Sequence, residues 1–218
     1  MPIHGSAVKP TALEAAYMAK DVYGGESKVD PKNLGGWLAS KAITGVTYDD
    51  PNSGFKSQLY ERTMSDGKKQ YCYVTAGTEN GKDWAANALQ ITGISLQYQE
   101  SVNNAIALKK LFGDSLSFAG HSLGGGMAEA NARATGESAT TFNAAGLSPA
   151  TALFLGVGII SDTNAYIMKS DPLNILQTAS PILPTAGGQI HFLECASSAA
   201  VINGHSIDYV IESLKKTP

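Results

Sequence analysis

The chain has 218 residues, 43% of them apolar and 16% charged, with 23 glycines and a formal net charge of −3. The apolar share suits a buried core and excludes a disordered chain. The 16 lysines and arginines do not gather into a basic stretch, which argues against nucleic acid as a partner, and Cys72 and Cys195 lie too far apart for a zinc finger, an iron–sulfur site or a disulfide-rich scaffold.

In chain order, the opening MPIHGSAVKP lacks a charged segment followed by an apolar one, so no secretory signal peptide is expected. Thr11-Ala-Leu-Glu14 is a capping box, and it predicts a helix that ends by Gly24-Gly25. Strand-like segments follow at 43–48, 55–63 and 70–75, with Ser65-Asp66-Gly67 as the hairpin turn between the last two. Helical spacing predicts a long helix over 97–112, a short buried strand over 115–119 and a helix of small residues over 122–134. Strands are expected at 140–143, 165–169 and 189–194. Ile207, Val210, Ile211 and Leu214 mark an amphipathic last helix. The longest apolar run, 150–160, is too short to span a bilayer. Its part 152–160 reads as a buried helix plus a loop, or alternatively as an acyl-pocket lining or a membrane contact. Strands alternating with helices predict an α/β fold. It is one domain over 1–218 with a mainly parallel sheet, helices on both faces and antiparallel strands at the N-terminal edge.

The sharpest motif is Gly120-His-Ser122-Leu-Gly124, a G-x-S-x-G between an apolar strand and a small-residue helix. That is the context of a nucleophile elbow. Ser122 is the candidate nucleophile, and Gly120 and Gly124 keep side chains out of the tight turn. No G-x-G-x-x-G follows a strand and no phosphate loop is present, so nucleotide binding is not expected.

The stretch SFAGHSLGGGMAEANA resembles the elbow of class 3, fungal-type lipases of the α/β-hydrolase fold. Thr75-Ala-Gly-Thr78 with Asp83-Trp84 is similar to that family's F-R-G-T/S…D-W oxyanion segment. Thr141-Phe-Asn-Ala-Ala-Gly146 is similar to its T-F-G-x-P-x strand. The likeness spans about 70–215. It departs in having Ala76 where the family has Arg, and in a short stretch between Trp84 and Tyr98 where relatives carry a lid. More narrowly, the N-terminal stretch, TAGTE and SDPLNILQ resemble lipase domains of bacterial antibacterial effectors delivered by type VI secretion.

The resemblance implies serine, acid and histidine in that chain order. His205, in the Asn203-Gly-His-Ser206 loop before the last helix, is the expected base. His4, His191 and His121 are less suited: His4 is near the terminus, His191 reads as a hydrogen-bonded sheet residue, and His121 reads as elbow support. Asp171, ahead of Pro172, is the expected acid. Asp162 is the runner-up, Glu194 is weaker, and Asp208 is poorly placed inside the last helix. The backbone N–H of Leu123 is one oxyanion donor; by resemblance that of Thr78 is the other, with Asp83 and Trp84 holding its loop. The resemblance implies a serine ester hydrolase acting on lipid, with phospholipase A activity favoured. A triacylglycerol lipase or carboxylesterase remains open, as do an acyltransferase, thioesterase or amidase on the same triad and an inactive binding module. No cofactor or metal is expected. The effector likeness implies a cognate immunity protein, and the 152–160 run leaves peripheral membrane contact open. The same likeness also implies a producer's cytoplasm as the source and signal-independent delivery into a target cell's periplasm.

Overall fold

The structure is a computed structural model and describes residues 9–77 and 96–216. The sequence-based expectations for His4, Thr78, Asp83, Trp84 and the short lid stretch lie outside the described residues.

Thr11 caps helix α1 (Ala12–Asp21). Its hydroxyl accepts from Glu14 N–H at 3.2 Å, and Glu14 returns the bond to Thr11 N–H at 2.9 Å. The Glu14 carboxylate also pairs with buried Arg62 at 2.9 Å, which ties α1 to the antiparallel edge of the sheet. Two-residue strands β1 (Leu38–Ala39) and β2 (Asp49–Asp50) pair antiparallel with β3 (Phe55–Thr63), which forms a hairpin with β4 (Lys69–Thr75). Gly67 at φ 82° makes the hairpin turn.

From β4 onward the pairing is parallel, through β5 (Leu116–His121), β6 (Ser138–Phe142), β7 (Asp162–Met168) and β8 (Gln189–Leu193). The order across the sheet is β1-β3-β4-β5-β6-β7-β8, with β2 beside β3. All six residues of β5 are buried, as befits a central strand covered on both faces. Ala119, Cys72, Val74, Phe142 and Met168 face α1 and the last helix, α7 (Ile207–Lys216). Leu116, Phe118, Tyr73 and Ala139 face α2 (Leu96–Phe112) and α3 (Leu123–Thr135). Three short helices, α4 (Pro149–Leu155), α5 (Pro172–Ala179) and α6 (Ser198–Ile202), complete the α-helices among the described residues. Among the described residues no helix is long and apolar enough to cross a membrane.

The architecture agrees with the expected α/β-hydrolase arrangement, with local corrections. Residues 43–48 are not a strand: Gly45 at φ 84° turns the chain, Ile43, Val46 and Tyr48 pack on the α2–α3 core, and the one backbone bond to β3 among the described residues is Ser57 N–H to Tyr48 O at 2.7 Å, at the lead-in to β2. Asp162 opens β7 rather than occupying a loop before it. The apolar run at 152–160 is a helix end and a loop, as expected, but only partly buried: Ala152 is buried and Leu155 and Val157 pack on the α2–α3 core, while Leu153 and Ile159 are each 84% exposed and Ile160 83%. Ile159 and Ile160 lead into the amino end of β7, while Ser122 follows the carboxyl end of β5, which runs parallel to β7 on the other side of β6. They therefore lie at the wrong edge of the sheet to line an acyl pocket.

Candidate active site

Strand β5 ends at His121, and Ser122 is the N-cap of α3 with φ 59° and ψ −126°. A non-glycine residue there is strained by roughly 1–3 kcal/mol and persists only where its surroundings fix it. Here Ser122 N–H donates to Phe142 O at 3.0 Å, and Ser122 O accepts from Gly125, Gly126 and Ala145 N–H. The motif glycines are required by contact. A Cβ on Gly120 would meet the Gly124 backbone, and one on Gly124 would lie 2.7 Å from the Ala76 carbonyl carbon. The helix therefore packs directly on β4 and β5. Leu123 is the first residue of α3, so helix geometry supplies no carbonyl for its N–H. That donor sits beside the serine, where the helix dipole also favours negative charge.

Three residues past the end of β7, Asp171 caps α5 and is fully buried. Its carboxylate accepts from Leu173 N–H at 3.0 Å and Asn174 N–H at 3.3 Å. His205 lies in the turn before α7. Its Nδ1 is 2.8 Å from Asp171 Oδ1 and its Nε2 is 2.8 Å from Ser122 Oγ. The sequence-predicted Ser122, Asp171 and His205 are thus brought together at the carboxyl edge of the parallel strands, where open α/β sheets place their sites. The competing acids are elsewhere: Glu194 pairs with Lys169 on the surface, and Asp208 pairs with Lys20 at 2.6 Å. His191 stacks on Tyr166 and bonds Asn164 at 2.9 Å, as a sheet histidine should.

Two further residues serve the site without having been expected from sequence. Asn143, at φ 43°, donates through Nδ2 to Gly204 O at 2.8 Å and His205 O at 3.1 Å, and accepts from Met168 N–H at 2.9 Å. It links the end of the acid-bearing strand to the loop of the base. The available signal was Asn in place of Gly in the T-F-G pattern, because both residues tolerate left-handed backbone. Tyr23 is the other; its hydroxyl lies 3.0 Å from His121 Nδ1. The His121 ring, on the far side, lies 2.7 Å through Nε2 from His205 O. Burial, helped by the neighbouring His205, pushes the His121 pKa down to about 3, so the ring is neutral at ordinary pH. The chain also comes close at Gly77, where a Cβ would stand 3.0 Å from Ser122 Cβ.

Comparison with known proteins places this geometry. The chain is 34% identical over 230 aligned positions to an extracellular phospholipase A1 of Serratia liquefaciens, covering 91% of this chain and 69% of that protein. The Rhizomucor miehei lipase–propeptide complex superposes with a TM-score of 0.54 at 12% identity, covering 84% of this chain and 67% of that one. A triacylglycerol lipase from Penicillium expansum gives 0.52 at 16% identity, covering 85% and 79% respectively. Lipase II from Rhizopus niveus gives 0.53 at 14%, covering 91% of each chain. At these identities the solved structures establish the α/β-hydrolase fold. The model of the Tle-like phospholipase domain matches residues 14–216, nearly the whole chain. On that match and the Serratia likeness, the chain belongs to the Tle-like phospholipase domain family.

Proposed function

We propose that this chain is a serine phospholipase A that releases a fatty acid from glycerophospholipid through an acyl-enzyme on Ser122. The observation that carries the reading is the unbroken Ser122–His205–Asp171 chain, 2.8 Å at each step, inside a phospholipase-family domain. With Nδ1–H donated to ionised Asp171, His205 offers its Nε2 lone pair to the serine hydroxyl. Ser122 Oγ attacks the acyl carbonyl carbon as its proton passes to Nε2. The Leu123 N–H, with a second donor, receives the oxyanion. Collapse breaks the bond to the glycerol oxygen, which takes the proton from His205. Water then repeats the sequence on the acyl-enzyme and frees the fatty acid.

The Serratia relative, described as a phospholipase A1, favours cleavage at the first glycerol position. An effector role, with an immunity protein over the cleft and the periplasm of a target cell as the place of action, is supported by the sequence resemblance alone and is part of this proposal.

The test is mass spectrometry of vesicles made from a phospholipid with different acyl chains at its two positions, run beside a triacylglycerol emulsion. Free fatty acid from the first position with the matching lysophospholipid is expected. Hydrolysis of the emulsion with intact phospholipid would instead favour the triacylglycerol lipase reading.

A further inference from the structure

The contacts around His121 have one consistent proton order. A carbonyl only accepts, so His121 Nε2, 2.7 Å from His205 O, carries the ring proton. In the neutral ring Nδ1 is then a lone pair, so the Tyr23 hydroxyl, 3.0 Å away, donates to it. The Tyr23 oxygen in turn accepts from Gly77 N–H at 3.0 Å. The chain Gly77 N–H to Tyr23, Tyr23 to His121, and His121 to His205 O has no donor facing a donor. It starts at the backbone that lies against Ser122 and ends on the backbone of the base.

We propose that Tyr23 is a positioning residue, which through His121 fixes the His205 backbone and through Gly77 fixes the segment beside Ser122. Base and nucleophile are thereby held in one register. Asn143 is the second donor to the same His205 carbonyl, at 3.1 Å. The inference rests on the hydrolase reading above, because it assigns the network to the placement of His205. Removing the Tyr23 hydroxyl leaves Gly77 N–H and His121 Nδ1 without this partner. Misplacement of a catalytic group by about 1 Å costs on the order of 100-fold in rate.

The experiment compares Tyr23→Phe with wild type on a phospholipid substrate, with thermal unfolding in parallel and ¹⁵N NMR of the histidine rings. The expected result is a kcat at least about tenfold lower with KM within about twofold, in protein that remains folded. Wild-type His121 should show the neutral Nε2–H tautomer across the range where an ordinary histidine titrates. A merely structural tyrosine would lower the unfolding temperature and leave kcat of the folded protein unchanged, which would overturn the proposal. A cationic or Nδ1–H His121 would overturn it as well. Should Tyr23→Phe not fold, His121→Asn cuts the same chain between the Tyr23 hydroxyl and the His205 carbonyl. The same selective fall in kcat is expected there, and an unchanged kcat overturns the proposal. A wild type that neither cleaves phospholipid nor reacts with a fluorophosphonate would instead defeat the hydrolase reading, and the NMR tautomer would still decide the proton order.

Discussion

Asp171→Asn separates the two duties of the buried acid. The carboxylate receives three donors: His205 Nδ1–H at 2.8 Å and Leu173 N–H at 3.0 Å on Oδ1, and Asn174 N–H at 3.3 Å on Oδ2. An amide has one oxygen. If that oxygen takes the Oδ1 position, the NH₂ faces Asn174 N–H and the weakest cap bond is lost. If the amide is flipped, the NH₂ faces Leu173 N–H and donates to His205 Nδ1. The imidazole is then forced into the tautomer whose Nε2–H points at Ser122. Either way about one hydrogen bond is lost, roughly 1 kcal/mol, because Asn is as good an N-cap as Asp. Either way the imidazolium loses its counter-charge, and kcat should fall on the order of 10⁴-fold. The assay is turnover of a chromogenic ester at saturating substrate, with thermal unfolding to confirm that the variant is folded. A folded Asp171→Asn protein that keeps more than about a hundredth of wild-type kcat would refute the assignment of the acid.

Two other predictions follow from the packing. The buried His121 has its pKa lowered from 6.5 to about 3, so between those values the unfolded chain binds a proton that the folded chain does not. Its stabilisation is therefore present above the ordinary histidine pKa and lost on acidification, by about 1.4 kcal/mol per pH unit and roughly 2 kcal/mol by pH 5. Denaturant titrations at pH 7 and pH 5 should show this loss in wild type and its absence in His121→Asn; equal pH slopes would contradict it. In Gly124→Ala the new Cβ meets only backbone, at Thr75 and Ala76, so it cannot be relieved by a rotamer change. Thermal unfolding should show a loss of about 1–3 kcal/mol, and ester turnover should fall by about 100-fold or more.

What was legible in the sequence is what is encoded locally. The elbow is five consecutive residues, Gly120–Gly124, whose glycines answer to contacts at fixed spacing, and Asp171 is marked by the proline that starts the next helix. His205 is marked by a turn just before an amphipathic helix. The supporting network is not local. Tyr23 reaches a histidine 98 residues away, and nothing in its own neighbourhood announces the partner. Asn143 carried a local hint, standing where the T-F-G pattern has glycine, but its partners 25 and 61 residues away are not written near it. Residues 43–48 carry strand-like composition, yet a single glycine at positive φ directs their apolar side chains into the core without a ladder. The apolar run at 152–160 gave its helix and loop but not its exposure, because hydrophobicity alone does not say which side of a short helix faces solvent.

The central claim is that Ser122 carries the acyl group during cleavage of a phospholipid ester. The most direct measurement is product analysis by mass spectrometry of phospholipid vesicles incubated with wild type and with Ser122→Ala. Lysophospholipid and free fatty acid are expected from wild type, and a rate lower by about 10⁶-fold from the variant. Lysophospholipid forming at a comparable rate with Ser122→Ala would contradict the claim.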